Sequence, residues 1–214
     1  MTVQSRQTNE QEIVRFSAIE RQLHWVTSLA VLILMATGAI LYFPALSTRI
    51  GQRLLIENIH AYSGFFVLVP LLISMCGPWG RSVRADVNRL SKFADREWAW
   101  FRPSRHKHVE LGKFNPGQKL NAVLVTAGLS VLLLTGYALR FPGPFSVDVR
   151  QGVTFVHDWF AFAVAILVFG HIAFALAHPQ AMRSMIRGVV KRDWAEQHAP
   201  RWLKEYLDRE PSVE

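Results

Sequence analysis

Four long apolar runs separated by strongly charged segments organise this chain. They cover Trp25 to Phe43, His60 to Gly77, Leu120 to Leu139 and Gly152 to Ala177, which is 19, 18, 20 and 26 residues. The first three hold no Asp, Glu, Lys or Arg, and the fourth holds only Asp158. A hydrocarbon core about 30 Å thick is crossed by roughly 20 apolar residues in helix, so each run can span it. Helices of a water-soluble bundle would carry polar stripes on their outer faces, and these carry almost none. The pattern predicts an all-α protein, an integral membrane four-helix bundle. It is read as a single domain over 1–214, with spans at about 25–43, 60–77, 120–139 and 152–177.

The polar segments then set the orientation. Twenty Lys and Arg fall before the first span, in the loop 78–119 and in the tail 178–214, against Arg49, Arg53 and Arg150 in the other two connections. Positive charge is retained on the inner side, so the N- and C-termini and the central loop are expected to be cytoplasmic. The net charge of +8 is thereby accounted for by topology. No basic face on a soluble fold points to nucleic acid. The first run lies behind 24 largely polar residues and lacks a small-residue exit, so it reads as a span, not a cleaved leader. Within 83–101, Val83, Val87, Leu90, Phe93 and Trp98 recur at helical spacing among charged residues, predicting an amphipathic cytoplasmic helix on the membrane surface. Trp79, Trp98, Trp100, Trp194 and Trp202 are expected at headgroup level. No internal repeat is evident.

Eight histidines are present, and topology sorts them. His106, His108 and His198 lie in polar segments, and His178 stands before Pro179, where a helix tends to end. His24 and His171 fall near the inner ends of the first and fourth spans. His60 and His157 fall near the outer ends of the second and fourth. Fourteen residues separate His157 from His171, which at about 100° per residue is roughly 40° short of four turns. Both imidazoles therefore share one helix face, about 21 Å apart along the axis. That separation is too long for one metal and suits two haems stacked through the membrane. His60 with His157, and His24 with His171, would each clamp an iron between two neutral imidazoles. The competing reading of any one such histidine is a hydrogen-bonded packing residue or a proton-path residue. His178 competes for the inner site. Gly38, Gly64, Gly136 and Gly170 permit close approach of a porphyrin or another helix.

Cys76 is the only cysteine. It rules out a C-x-x-C-H attachment and any cysteine cluster for iron–sulfur or zinc, and reads as a buried packing thiol.

His24-Trp25, the stretch His60 to Gly64, G-K-F-N-P-G-Q-K at 112–119, the His157/His171 spacing and W-A-E-Q-H-A-P-R-W at 194–202 resemble the cytochrome b (gamma) subunit of respiratory formate dehydrogenase. The similarity runs over roughly residues 13 to 208, with helices and histidines in the same order. The resemblance implies a diheme b-type anchor in the bacterial inner membrane, with His60 and His157 on the outer haem iron and His24 and His171 on the inner. It implies an iron–sulfur (beta) partner subunit outside, a catalytic (alpha) subunit with a molybdenum or tungsten pterin, and electron delivery to menaquinone or ubiquinone near the inner haem. Formate chemistry would belong to the partner. The cytochrome b subunit of a hydrogenase or of another molybdopterin oxidoreductase is the alternative.

The same resemblance places a quinone site on Asn115, Gly117 and Gln118. Read locally, Asn115 is a good helix N-cap and Pro116 a good first-turn residue, so the stretch can equally be the start of the third helix. Asp158 points about 100° away from His157 and is read as a solvent-facing or helix-terminal charge. A proton relay would want contiguous histidines, and a membrane di-metal oxygenase would want clustered H-x-x-H motifs; neither pattern is present.

Overall fold

The computed structural model describes residues 12–102 and 109–208; His106 and His108 lie outside them, as does the side chain of Trp79. In chain order the elements are β1 (Glu12–Val14), α1 (Ala18–Tyr42), α2 (Pro44–Ile50), α3 (Arg53–Phe66), α4 (Val69–Cys76), α5 (Arg81–Ser91), α6 (Pro116–Arg140), α7 (Val147–Ala177), α8 (Pro179–Arg187), β2 (Val189–Lys191), α9 (Arg192–His198) and α10 (Pro200–Leu207). Short 3-10 turns occupy Pro78–Gly80 and Asp95–Phe101. Four stretches are long and apolar enough to cross a membrane: Ala18–Tyr42, Arg53–Cys76, Pro116–Arg140 and Val147–Ala177. The fold is an all-α multi-pass membrane protein.

Each span begins before its apolar run, and local hydrogen bonds account for three of the four starts. Ser17 and Glu20 form a reciprocal cap on α1, Ser17 N–H donating to Glu20 Oε2 at 2.6 Å and Glu20 N–H to Ser17 Oγ at 3.4 Å. Val149 N–H donates to Ser146 Oγ at 3.3 Å, starting α7 early. Asn115 and Gln118 do the same for α6. The second span is not one straight helix. Pro70 lacks an N–H and its ring crowds the carbonyl of Phe66, so α3 stops at Phe66 and α4 restarts at Val69.

The chain divides into two compact units. The apolar unit comprises 22–81 and 124–170. All four spans meet in it at Val31, Val67, Leu129 and Val164, each no more than 7% exposed. The opposite faces carry large apolar side chains such as Leu134, 71% exposed, and Phe169, 63% exposed, which only lipid can cover. Cys76 is also exposed, not buried in packing. Asp158 points outward as well.

The polar unit comprises the described parts of 1–21, 82–123 and 171–214. Here β1 pairs antiparallel with β2, Ile13 opposite Val190. Gly188, at φ +86°, ends α8 in the left-handed region, and its carbonyl accepts the N–H groups of Arg15 and Phe16 at 2.8 and 3.1 Å. A Cβ there would strike the Phe16 carbonyl oxygen at 2.7 Å. Ile13, Val190, Ala195, Ala199, Trp202 and Leu203 form the core, with Trp194 against it. Trp202 thus belongs to a packed core, with Trp194 half-buried against it, because α9 and α10 fold back over the small sheet. Trp98, 55% exposed, keeps the expected character. The amphipathic helix expected over 83–101 is two elements: α5 ends at Ser91, and Glu97 Oε2 accepts the Ala94 N–H at 3.0 Å to start the 3-10 turn anew.

Glu97 has 0% exposure and binds Lys119 Nζ at 2.7 and 2.9 Å, while Lys119 also donates to the Lys92 carbonyl. Burial pushes this carboxyl up, yet Lys119, the Ala94 N–H and Arg201 together hold it below the usual carboxylate value. Glu97→Ala would leave the Lys119 ammonium buried without its counter-charge, at an expected cost of about 3–5 kcal/mol. Thermal unfolding of the purified protein should show this, with the Glu97→Ala/Lys119→Ala double variant losing less than the sum of the single losses.

Candidate functional site

The centre of interest in the apolar unit is a pair of imidazoles. His60, from α3, and His157, from α7, have ring centroids 6.3 Å apart and ring planes at 67°. A metal–imidazole bond of about 2.0 Å, with roughly 1.1 Å from nitrogen to ring centre, puts two rings clamping one ion about 6.2 Å apart. The observed spacing therefore leaves room for one metal ion between the two imidazoles.

Both rings are anchored alike. Nδ1 of His60 lies 2.9 Å from Thr37 Oγ1, and Nδ1 of His157 lies 2.8 Å from Thr135 Oγ1. Each hydroxyl donates its own hydrogen back along its helix, Thr37 to the Ile33 carbonyl at 2.7 Å and Thr135 to the Val131 carbonyl at 2.8 Å. With that hydrogen committed, Oγ1 accepts, so Nδ1 carries the proton in both rings. Nε2 is left as a lone pair, the form a metal needs. The neighbouring glycines make room: a Cβ at Gly38 would lie 3.4 Å from His60 Cε1, and one at Gly136 would lie 3.5 Å from His157 Cε1.

Sequence reading found the histidines and two of the glycines but missed the threonines. The signal was present as T-G-x-x-L-x-F at Thr37–Phe43 and again at Thr135–Phe141. Thr37 and His60 are 23 residues apart, Thr135 and His157 are 22 apart. The two helical hairpins thus share one local pattern around His60 and His157, although no repeat was evident from the apolar pattern.

His24 and His171 belong to different units. His24 lies in the second turn of α1 with Trp25 edge-on at 5.4 Å. His171 lies on α7, which runs unbroken from Val147 to Ala177, so the shared face and the rise of about 21 Å from His157 hold as expected. His178 has left the helix, stacks on Phe174 at 4.0 Å and places Nδ1 2.8 Å from the Phe174 carbonyl. Among the described residues no group of three or more metal-ligating side chains occurs. Isolated imidazole pairs suit an iron whose other ligands come from a porphyrin.

In the polar unit the stretch 112–119 forms a reciprocal cap. Asn115 N–H donates to Gln118 Oε1 at 3.0 Å, and Gln118 N–H donates to Asn115 Oδ1 at 2.8 Å. Helix capping therefore accounts for both side-chain oxygens. It also fixes which way each amide faces, turning the NH2 groups away from the cap as the remaining donors. Gly117 lies under the ring of Trp100: a Cβ would meet that ring at 3.1 Å and Asn115 Oδ1 at 3.3 Å. Trp100 was expected only at the headgroups, and its place over the turn was not legible. The tail holds the turn from the other side. Arg201 N–H donates to the Leu111 carbonyl at 3.1 Å, and its guanidinium fills the space over Gly112.

Four apolar spans with paired intramembrane histidines define a membrane cytochrome b, an electron-transfer protein. The chain belongs to the prokaryotic cytochrome b561 family, whose model matches residues 15–188, and membership implies haem b. The formate dehydrogenase cytochrome b556(fdo) subunit of Escherichia coli (strain K12) is 27% identical over 204 residues, 90% of this chain and 92% of the relative. The nitrate-inducible formate dehydrogenase cytochrome b556(Fdn) subunit of the same strain is 25% identical over 213 residues, 94% and 95% of the two chains. The formate dehydrogenase cytochrome b556 subunit of Haemophilus influenzae is 24% identical over 204 residues, 92% and 85%.

Thr37→Val and Thr135→Val each remove the hydroxyl that orients an imidazole. Each should weaken haem binding by roughly 10–100-fold, read by titrating haem into the haem-depleted protein. Unchanged affinity in both would exclude the orienting role of the hydroxyls.

Proposed function

We propose that this protein is the diheme b-type membrane subunit of a formate dehydrogenase complex in the bacterial inner membrane. It carries electrons from an iron–sulfur subunit on the outer side to quinone beside the polar unit. The observation that carries this reading is the His60–His157 pair, correctly spaced and held in the metal-binding tautomer by Thr37 and Thr135. The relatives are named as formate dehydrogenase subunits across at least nine-tenths of this chain, which supports the choice of complex.

His60 and His157 would hold one haem, and His24 and His171 the other. Haem iron supplies a one-electron couple at each site. The chain's own part is to fix the imidazoles, exclude water from the bundle and present the quinone site. Asn115 and Gln118, with oxygens spent on the cap, direct their NH2 donors to a quinone carbonyl, and Gly117, having no Cβ, lets the Trp100 ring close against the turn beside them. The basic polar unit faces the cytoplasm, so protons for quinone reduction come from that side. Formate is oxidised by a partner bearing a molybdenum or tungsten pterin, since nothing in this chain provides that chemistry.

The purified protein should contain two haems b per chain; a ratio of one with full quinone activity would overturn the paired assignment. His157→Ala should lose the outer haem while the inner remains reducible by a quinol analogue. His171→Ala should do the reverse, keeping a haem reducible from the partner side while quinone reduction fails. Retention of both haems and normal quinone reduction in His171→Ala would overturn the inner assignment. Asn115→Asp and Gln118→Glu keep the capping oxygens and remove the NH2 donors. Both should retain the fold and both haems and reduce quinone at least tenfold more slowly; wild-type turnover in both would leave the motif as a cap alone. Mass spectrometry of the intact complex distinguishes a formate dehydrogenase partner from a hydrogenase.

A further inference from the structure

Beneath the turn at 112–119 the polar unit buries an ion cluster that helix capping and quinone contact leave unexplained. Lys113, two residues before Asn115, has a side chain 6% exposed. Its ammonium donates to Glu20 Oε1 at 3.0 Å and to Asp86 Oδ2. Glu20 comes from the first turn of α1, one helical turn before His24 in sequence, and Asp86 from the middle of α5. Both carboxyl groups thus meet on the one ammonium of Lys113. Two carboxylates gathered in one buried place repel each other, which favours a proton on one of them.

The remaining neighbours divide the cluster into an outer and an inner end. Arg89, on α5 with Asp86, reaches Asp86 Oδ1 at 2.9 Å and is 27% exposed, against 10% for Asp86. Arg15 is buried, donates to the Lys113 carbonyl at 2.8 Å and adds a charge that acts on Asp86. Ser17 and Ser82 join their hydroxyls alongside at 3.2 Å. Lys113 also sits over the rings of Phe16 and Phe114 at 4.6 and 5.6 Å. Water therefore has its approach at the Arg89–Asp86 edge, and the interior is closed by aromatic rings.

A purely structural ion cluster gains by being fully ionised. Here burial and the neighbouring Glu20 carboxyl raise Asp86 to about 6, against the pull of Lys113. The group therefore holds or releases its proton within the physiological range, where an ordinary carboxylate would have lost it.

We propose that Asp86, acting through Lys113 and Glu20, is the proton-loading residue for the quinone site at Asn115–Gln118. This rests on the quinone reading of the previous section. Reduction of one quinone takes two electrons, supplied by the reduced haems, and two protons. Each proton enters at the Asp86 edge and is held on Asp86. It reaches the reduced quinone oxygen by way of the Lys113 ammonium, which gives up one proton and takes the next from Asp86 as Asp86 reloads from water. Asp86 does not touch quinone, so its role is to load and position the proton.

The test uses the full-length haem-loaded protein, chemically reduced and mixed with a water-soluble quinone analogue, with haem reoxidation followed against pH. In the unaltered protein the rate should fall as pH rises through about 6, as the Asp86 proton is lost. Asp86→Asn keeps the size and a hydrogen bond but cannot carry a proton. It should retain both haems, reoxidise them at least tenfold more slowly at low pH, and lose the pH dependence. Added imidazole, a diffusible weak acid, should restore its rate, which it would not do for a misfolded site, and Asp86→Glu should restore both rate and profile. An independent readout is the infrared carbonyl band of a protonated carboxyl in the oxidised protein, titrating near pH 6 and absent from Asp86→Asn. This band decides the matter if Asp86→Asn loses haem. Wild-type rate and pH profile in Asp86→Asn, or no such band in the unaltered protein, would overturn the proposal. Failure of quinone to reoxidise the unaltered protein overturns the quinone reading and, with it, this role; the band then remains as a mark of that separate failure.

Discussion

A polar atom inside hydrocarbon has no water to turn to, and this constraint decides most of what the chain does. It forces the four apolar runs into helices, whose backbone groups satisfy one another, and it leaves every intramembrane side chain with a hydrogen to place. His60 and His157 answer it by a short chain of donors. Imidazole Nδ1–H reaches a threonine hydroxyl, and the hydroxyl reaches a backbone carbonyl one turn earlier on its own helix. The chain has a direction, because the last carbonyl can only accept. That direction fixes both tautomers and exposes a nitrogen lone pair on each ring, which is the electronic requirement of an iron ligand.

The same constraint works differently where the chain leaves the bilayer. Polar groups there can be buried only against one another, and the polar unit is built from such reciprocal arrangements. Glu97 and Lys119 tie the 3-10 turn to the first turn of α6, and Arg201 links both to the tail. Asn115 and Gln118 cap each other. Lys113 gathers two carboxylates from different helices. These bonds hold the turn at 112–119 in one conformation, and in the cap the oxygen of each amide orients its own NH2.

The two helical hairpins repeat one plan at one end. Thr37-Gly38 with His60, and Thr135-Gly136 with His157, place a hydroxyl, a gap and an imidazole at nearly the same separations. His24 and His171 do not repeat it, since they stand on the first and fourth spans.

Much of this was legible in the residues alone. Apolar run length determined the four spans, because bilayer thickness and helix rise leave no other spanning solution for such sequence. The fourteen-residue spacing determined that His157 and His171 share a face, because helix geometry is local and α7 is unbroken. Side-chain environment was not local, and there the reading failed. Trp202 was assigned to the headgroups, but α9 and α10 fold back and bury it. Cys76 was assigned to a packed interior and faces outward. Pro70 broke a run that hydropathy alone made continuous. Only the tertiary structure brought Thr37 to His60 and Thr135 to His157, and gathered Glu20, Asp86 and Lys113 from segments up to 93 residues apart. Composition and period are properties of neighbours along the chain, whereas a hydrogen bond between helices depends on rotation and register, which packing alone decides.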